Sequence, residues 1–550
     1  MVEKSNKFIE FIKNNKSIIF LSVIFLIAVF FRFWRLGSIP PGLYPDEAIN
    51  ANDAITSPGK IFYPENNGRE GLFINLLYFS SLILGKSIFS MRFVSAFFGS
   101  ITVIGIFLMT REIFRINDNS KAENIALLAS FFTAVSFWHI NFSRIVFRAI
   151  LIPLILTFSF YFLFKGFKEI SRGKKNIYPF IISGIIFGLG FYTYIAFRLS
   201  VLLLGLCLVL FYFFFKGKES KKRFVISTLV LLLFCFIIAL PIGIYFLNNP
   251  SYFVSRAGGV SVFSQNNILK SFTESILRHL AMFNFSGDYN WRHNISGSPI
   301  LFWPVGILFL IGISLSIFKL KLKKKSYPNF LIYSFLIGWF LIMLLPGALT
   351  YESMPHALRV IGVIPSIFIF SALGSCFLKD KLRNIIKKED NVYWLIVISL
   401  IILSISFISA QYSRYFITWG KNSELKGAFS ESYVDVGKCL NTLSSETEKF
   451  VIVNQPGVPV PYPEGIPVSA QTTMFIERTE FEKPRASYII PNDMDNILLF
   501  IENNPEKEIE ILLLCYDENL IFDLWKKFPQ GNIEIKNKVW VYTIKQTTNN

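Results

Sequence analysis

The sequence predicts an all-α polytopic membrane domain of about eleven spanning helices, followed by a small α/β domain outside the membrane. Three observations predict it: recurrent apolar runs of membrane-crossing length, a one-sided placement of lysine, and a change of composition after Ala410.

The apolar runs come first. Of 550 residues, 53% are hydrophobic and 61 are Phe, more apolar surface than a soluble fold of this length can hide. Mean hydropathy is +0.48. Runs of roughly 17–25 residues, enough to cross the hydrocarbon, recur from Ser17 to Ala410. The first follows Lys4, Lys7, Lys13 and Lys16 and leads into Phe31-Arg32-Phe33-Trp34-Arg35 with no small-residue cleavage site. It reads as an uncleaved span.

The net charge of +18 is placed asymmetrically. The loops Lys165–Lys175, Lys216–Arg223, Lys319–Lys325 and Lys379–Lys388 each carry five Lys or Arg, twenty in all. The alternate connections at 144–148, 198, 248–298 and 359 carry eight together. This positive-inside pattern puts the lysine loops and the N-terminus in the cytoplasm, and makes the bilayer, not nucleic acid, the partner of the charge.

Orientation settles the segment Gly71–Lys86, which is apolar but short. As a span it would invert every lysine loop, so it is expected to lie on the outer surface. The spans then fall near 17–34, 90–110, 124–140, 149–164, 178–196, 199–215, 224–247, 299–318, 329–349, 360–378 and 392–410. Residues 1–410 form the membrane domain, with external loops at 35–90 and 248–298. Residues 411–550 form an extracytoplasmic α/β domain, where Phe450–Val453 and Ile509–Leu514 read as strands and Glu431–Leu443 as a helix. Cys439 and Cys515 both lie there and could pair in an oxidising compartment. Asp493-Met494-Asp495 precedes an apparent helix and reads as capping.

The candidate chemistry gathers on the outer side. Tyr44-Pro45-Asp46-Glu47 follows the tight turn Ile39-Pro40-Pro41-Gly42, which holds two carboxylates near the bilayer. The same residues would also start a helix well, because acids favour its first turn. Arg69 and Glu70 follow in the same loop. At the outer ends of later spans the basic residues are Arg92, Arg144, Arg148, Arg198 and Arg359, with no Lys, whereas the cytoplasmic loops use seventeen Lys and three Arg. Arginine grips phosphate oxygens with a planar fork and keeps its charge when partly desolvated. An arginine cluster beside a carboxylate pair suits a lipid-phosphate sugar. Glu352, His356 and Arg359 are spaced to share one face if 351–359 is helical. The stretch Gly287–Asn294, with Asp288, Arg292 and His293, has the polar and aromatic residues that hold a sugar. No Gly-rich phosphate loop and no His/Cys metal spacing is present, so no cofactor is expected and a divalent metal is not called for.

These segments resemble a known group. Pro41–Glu47, Asn66–Glu70, Phe142–Ala149, Gly190–Arg198, Gly287–Asn294 and Pro355–Arg359 are similar to the polytopic GT-C glycosyltransferases, nearest the dolichyl-phosphate-mannose-protein mannosyltransferase and aminoarabinose transferase relatives. The resemblance covers roughly Phe31 to Leu373. It implies that Asp46 and Glu47 are the catalytic acid pair. It also implies that Arg144 or Arg148 binds the donor phosphate. Residue type and outer placement extend that role to Arg359 and make Arg69, Glu70, Asp288, Arg292, His293, Glu352 and His356 the candidate substrate contacts. Two departures limit the resemblance. The aminoarabinose transferases have a second-loop Asp where this chain has Arg148, which puts a metal like theirs in doubt. The Trp-Trp-Asp motif of oligosaccharyltransferases is missing.

The expected function is transfer of a sugar from a polyprenyl-phosphate donor to a hydroxyl on a protein, glycan or lipid acceptor, outside a cell membrane, with inversion. The rival reading is a transporter or lipid flippase of envelope glycan precursors. That class places ionisable groups in mid-span, where each costs about 2.5–3.5 kcal/mol on insertion scales, and these spans are almost free of them.

Overall fold

The computed structural model describes residues 2–116, 121–321, 327–385, 390–461 and 464–545. Lysine-loop positions 322–325 and 386–388, and positions 462–463 of the proline-rich stretch, lie outside the described residues. The chain divides into two compact units, residues 1–34, 70–73 and 95–420, and residues 35–69, 74–94 and 421–550.

The first unit is helical. Among the described residues of the whole chain, eight helices are long and apolar enough to cross a membrane: Asn15–Phe33, Ile88–Arg115, Arg148–Ser171, Ile195–Phe214, Lys218–Asn248, Trp303–Lys321, Asn329–Ala348 and Ile361–Leu382. Shorter apolar helices run over Gly71–Leu84, Ala122–Val135 and Tyr178–Tyr192, and a further helix over Asp390–Tyr412. The protein is a multi-pass membrane protein. Small residues let its helices approach closely, as expected where lipid offers no hydrophobic drive between them. A Cβ on Gly312 would meet the Phe370 carbonyl at 1.8 Å, and one on Gly374 the Leu308 carbonyl at 2.1 Å.

Three predicted segments differ. The 124–140 run is broken at Ser136, after which a short buried helix, Phe137–Phe142, begins. The 178–196 run is helical only to Leu189 and continues as 3-10 turns. Residues 351–359 are not helical. Pro355 lacks the N–H that a helix needs and disfavours helical geometry at Met354, so the proposed shared face of Glu352, His356 and Arg359 does not form. The loop 248–298 also holds an amphipathic helix, Ile268–Ala281, capped where Asn267 Oδ1 accepts the Lys270 N–H at 3.0 Å.

The second unit contains a five-stranded mixed sheet in the order Ser487–Ile489, Glu448–Ile452, Ile509–Leu513, Val539–Ile544, Asn532–Lys536. The first three strands are parallel to one another, and Val539–Ile544 runs antiparallel to both of its neighbours. Alternation along each strand supplies two cores. Val451, Leu512 and Val541 pack on one face with Cys439, Leu440 and Met474. Phe450, Ile511 and Tyr542 pack on the other with Ile497, Leu520 and Leu524. Cys439 and Cys515 are both free, so the pairing open to them in an oxidising compartment is not formed. Cys439 lies in the first of these cores, and Cys515 follows the central strand with its N–H bonded to Asn454 Oδ1 at 2.9 Å. Asp495 sits in the first turn of the helix Asp495–Asn503, where a carboxylate is favoured, but Met494 is the N-cap and no side chain caps the helix.

Residues 35–69 and 74–94, which include most of the first loop, group with this second unit, whereas 70–73 group with the first. The reason is long-range pairing. Asn52 donates to the Gln471 backbone O at 2.9 Å and its side-chain O at 2.8 Å, and Thr472 Oγ1 donates to the Leu43 carbonyl at 2.9 Å. Gly42 has φ +64, and a Cβ there would lie 2.2 Å from the Phe429 carbonyl. Only glycine serves at that point of the turn.

Candidate active site

The acid pair starts the helix Pro45–Thr56 as predicted, with Pro45 at its first position and both acids in its first turn. The two carboxylates then part company. Glu47 is fully buried: its Oε2 accepts the Tyr44 N–H at 3.1 Å and lies 3.6 Å from Arg92. Arg92, also fully buried, donates to the Pro40 carbonyl at 2.7 Å and the Gly42 carbonyl at 2.8 Å. Arg92 therefore staples the Pro-Pro-Gly turn to the helix start, and Glu47 is a helix-entry residue, not one presented to substrate. Asp46 is partly exposed, and its Oδ1 accepts from Asn66 Nδ2 at 2.6 Å. Asn66, Asn67 and Gly68 take φ of 50°, 65° and 81°. Asn and Gly tolerate that left-handed turn, which aims the Asn66 amide at Asp46.

Arg69 is an internal cation and not an open substrate ligand. It is 1% exposed, donates to Asn50 Oδ1 at 2.9 Å and the Glu65 carbonyl at 3.2 Å, and pairs with Asp53. Burial raises the Asp53 carboxyl above its ordinary pKa against the opposing pull of Arg69.

In the membrane unit Glu70 lies between two guanidiniums. Arg148 Nε donates to its Oε2 at 3.0 Å, and Arg198 Nη2 stands 3.6 Å from its Oε1. Arg148 lies over the Tyr194 ring, and Arg198 over those of Phe246 and Phe253. Two cations around one carboxylate leave a net positive charge. Neither Arg198 nor Arg92 stands out in the sequence as a site residue; membership of the lysine-free set of outer arginines is the signal both carry.

Arg144 does not join this group. Its guanidinium is fully buried and donates to the Phe31, Arg32 and Trp34 carbonyls at 2.9, 2.8 and 2.8 Å. It satisfies the C-terminal carbonyls of the first helix, so its role as a phosphate ligand is not supported. Arg359 donates to Thr350 Oγ1 at 2.9 Å and pairs with the exposed Glu352 at 3.1 Å.

The loop after Ile268–Ala281 ties itself into a knot. Asp288 is buried; Oδ1 accepts the Asn290 N–H at 2.8 Å, and Oδ2 lies 2.9 Å from His293 Nδ1 and accepts the Ala357 N–H at 2.8 Å. The Arg292 carbonyl accepts from Asn141 at 2.6 Å. His356 comes in from the next loop: its ring lies 4.8 Å from that of His293, and its N–H donates to His279 Nε2 at 3.1 Å. Burial pushes His279 down to about 4, so it stays neutral and accepts through Nε2.

Residues 72–245 match the family model described as dolichyl-phosphate-mannose-protein mannosyltransferase. A search of curated protein sequences gave no match. Among solved structures, the chain is similar to ArnT from Cupriavidus metallidurans bound to undecaprenyl phosphate, at 12% identity and TM-score 0.52, covering 97% of this chain and 98% of that one. It is similar to the oligosaccharyltransferase AglB from Archaeoglobus fulgidus in complex with an inhibitory peptide and a dolichol-phosphate, at 14% identity and TM-score 0.52, covering 98% and 75%. Against the Archaeoglobus fulgidus oligosaccharyltransferase tethered with an acceptor peptide, identity is 14% and TM-score 0.51, covering 80% of this chain and only 62% of the other.

Proposed function

We propose that this chain, a membrane protein with the GT-C glycosyltransferase fold, moves a sugar from a polyprenyl-phosphate donor to an acceptor hydroxyl on the outer face of the membrane. The observation that carries the reading is the fold shared along nearly the whole chain with a structure holding undecaprenyl phosphate. Eleven spans fit it: the eight long helices with Ala122–Val135, Tyr178–Tyr192 and Asp390–Tyr412, leaving Gly71–Leu84 on the outer surface.

A polyprenyl phosphate is already a good leaving group, so the chemistry asks for a base and for positive charge. Asp46 is the base: its carboxylate takes the proton of the acceptor hydroxyl as that oxygen attacks the sugar C1. The C1–O bond to phosphate breaks on the opposite face, and polyprenyl phosphate departs with inversion. Asn66 orients Asp46, and Glu47 with Arg92 fixes the helix that carries it. Positive charge suited to a phosphate is available from Arg148 and Arg198, held by Glu70 within the membrane unit. The step uses no cofactor. The acceptor is a protein, glycan or lipid hydroxyl.

The experiment is transfer from a synthetic polyprenyl-phosphate sugar by the purified chain, with the anomeric configuration of the product read by NMR. Inverted product supports the reading. Product of retained configuration overturns the single displacement, and inertness towards every lipid-phosphate sugar overturns the transferase.

A further inference from the structure

We propose that Asp288, His293 and His356 form a binding site for a divalent cation of zinc type. The inference stands on the membrane unit alone and does not depend on the transferase reading. One carboxylate oxygen and one ring nitrogen from each imidazole lie within 4.8 Å of one another. Asp288 and His293 are buried and His356 is half-buried. Two imidazoles and a carboxylate are the donor set zinc takes in three-ligand sites, at bonds of about 2.0–2.2 Å, with a fourth position for water or another ligand.

The surroundings hold the three donors in place. Asp288 is anchored through the Asn290 and Ala357 N–H groups, both at 2.8 Å. The backbone of His356 is held by His279, whose Nδ1 donates to the Ser275 carbonyl at 2.8 Å. Such outer contacts orient metal ligands and are half of a metal site's design. The short Asp288–His293 contact, now a hydrogen bond at 2.9 Å, already holds two donors at close range. An ion bound there would draw in three donors that already lie within 4.8 Å of one another. The ion would cross-link the loop after Ile268–Ala281 to the loop before Ile364–Ile385. Spacing along the chain conceals the set, because His356 joins it from a separate loop.

The test uses the full chain in detergent, stripped with a chelator and titrated with Co2+. One equivalent should bind with the visible absorption of a four-coordinate site, be displaced by Zn2+, and disappear in Asp288→Asn and His356→Gln. Zinc-edge X-ray absorption of the wild type, which needs no variant to fold, should show imidazole ligands. A wild type that gives neither the cobalt band nor imidazole ligation overturns the site, as does a band undiminished in either folded variant.

Discussion

Glu70 accepts a hydrogen bond from Arg148 Nε at 3.0 Å, with both side chains almost wholly buried. Removing one partner of such a pair leaves an uncompensated charge, at a cost of about 3–5 kcal/mol. Arg148→Met should therefore lower the melting temperature sharply. Arg148→Lys keeps the charge but loses the planar fork. It is expected to stay folded and to lose transfer at least about tenfold, the equivalent of one strong hydrogen bond. Normal turnover by folded Arg148→Lys, measured with a synthetic polyprenyl-phosphate sugar, would remove Arg148 from the phosphate site.

The two acids of the first turn should behave differently. Asp46→Asn is isosteric and partly exposed, so the fold should survive while transfer falls by about 10²–10⁴ through loss of the base. Asn66→Ala removes a hydrogen bond to a charged group, worth about 1.5–3 kcal/mol, and should give a smaller loss. Turnover and thermal unfolding measured together decide the matter. If Asp46→Asn retains near-normal transfer, Asp46 is only a helix-start residue.

Glu47→Gln, by contrast, is expected to act through stability. Glu47 and Arg92 are both fully buried, and neutralising one leaves the other charged in the interior. The melting temperature should drop, with the folded fraction keeping more activity than Asp46→Asn. A variant as stable as wild type but inactive would return Glu47 to the chemistry.

Asn52→Ala tests the tie between the first loop and the C-terminal domain. It removes both bonds to Gln471, leaving buried acceptors at about 1–3 kcal/mol. The expected result is a lower unfolding midpoint and faster proteolysis around Pro45–Thr56. Unchanged protection of that helix would show that the pairing does not hold it.

Topology is tested by cysteine-accessibility labelling in intact cells. A cysteine at Asn422 should label from outside and one at Lys175 should not. Labelling of the second position would reverse the orientation and move the acid pair to the wrong side.

The sequence by itself determined what depends on local composition and period. Apolar length located the eight long spanning helices, and alternation at 450–453 and 509–514 marked strands of the C-terminal sheet. Pro45 followed by two acids was enough to start a helix, since capping is a matter of neighbouring residues. Tertiary structure decided which polar groups remain available, because burial and partners are fixed by residues far away in the chain. Adjacent acids Asp46 and Glu47 look equivalent until Asn66 meets one and Arg92 the other. Arg144 and Arg148 look interchangeable until one caps the first helix and the other meets Glu70. The tie between the first loop and the C-terminal domain shows only where Asn52 meets Gln471. Pro355 could have warned against a helix at 351–359, but nothing in its own segment shows that His356 turns towards His293. A side chain's chemistry is written in the sequence, whereas its freedom to act depends on what the fold packs against it.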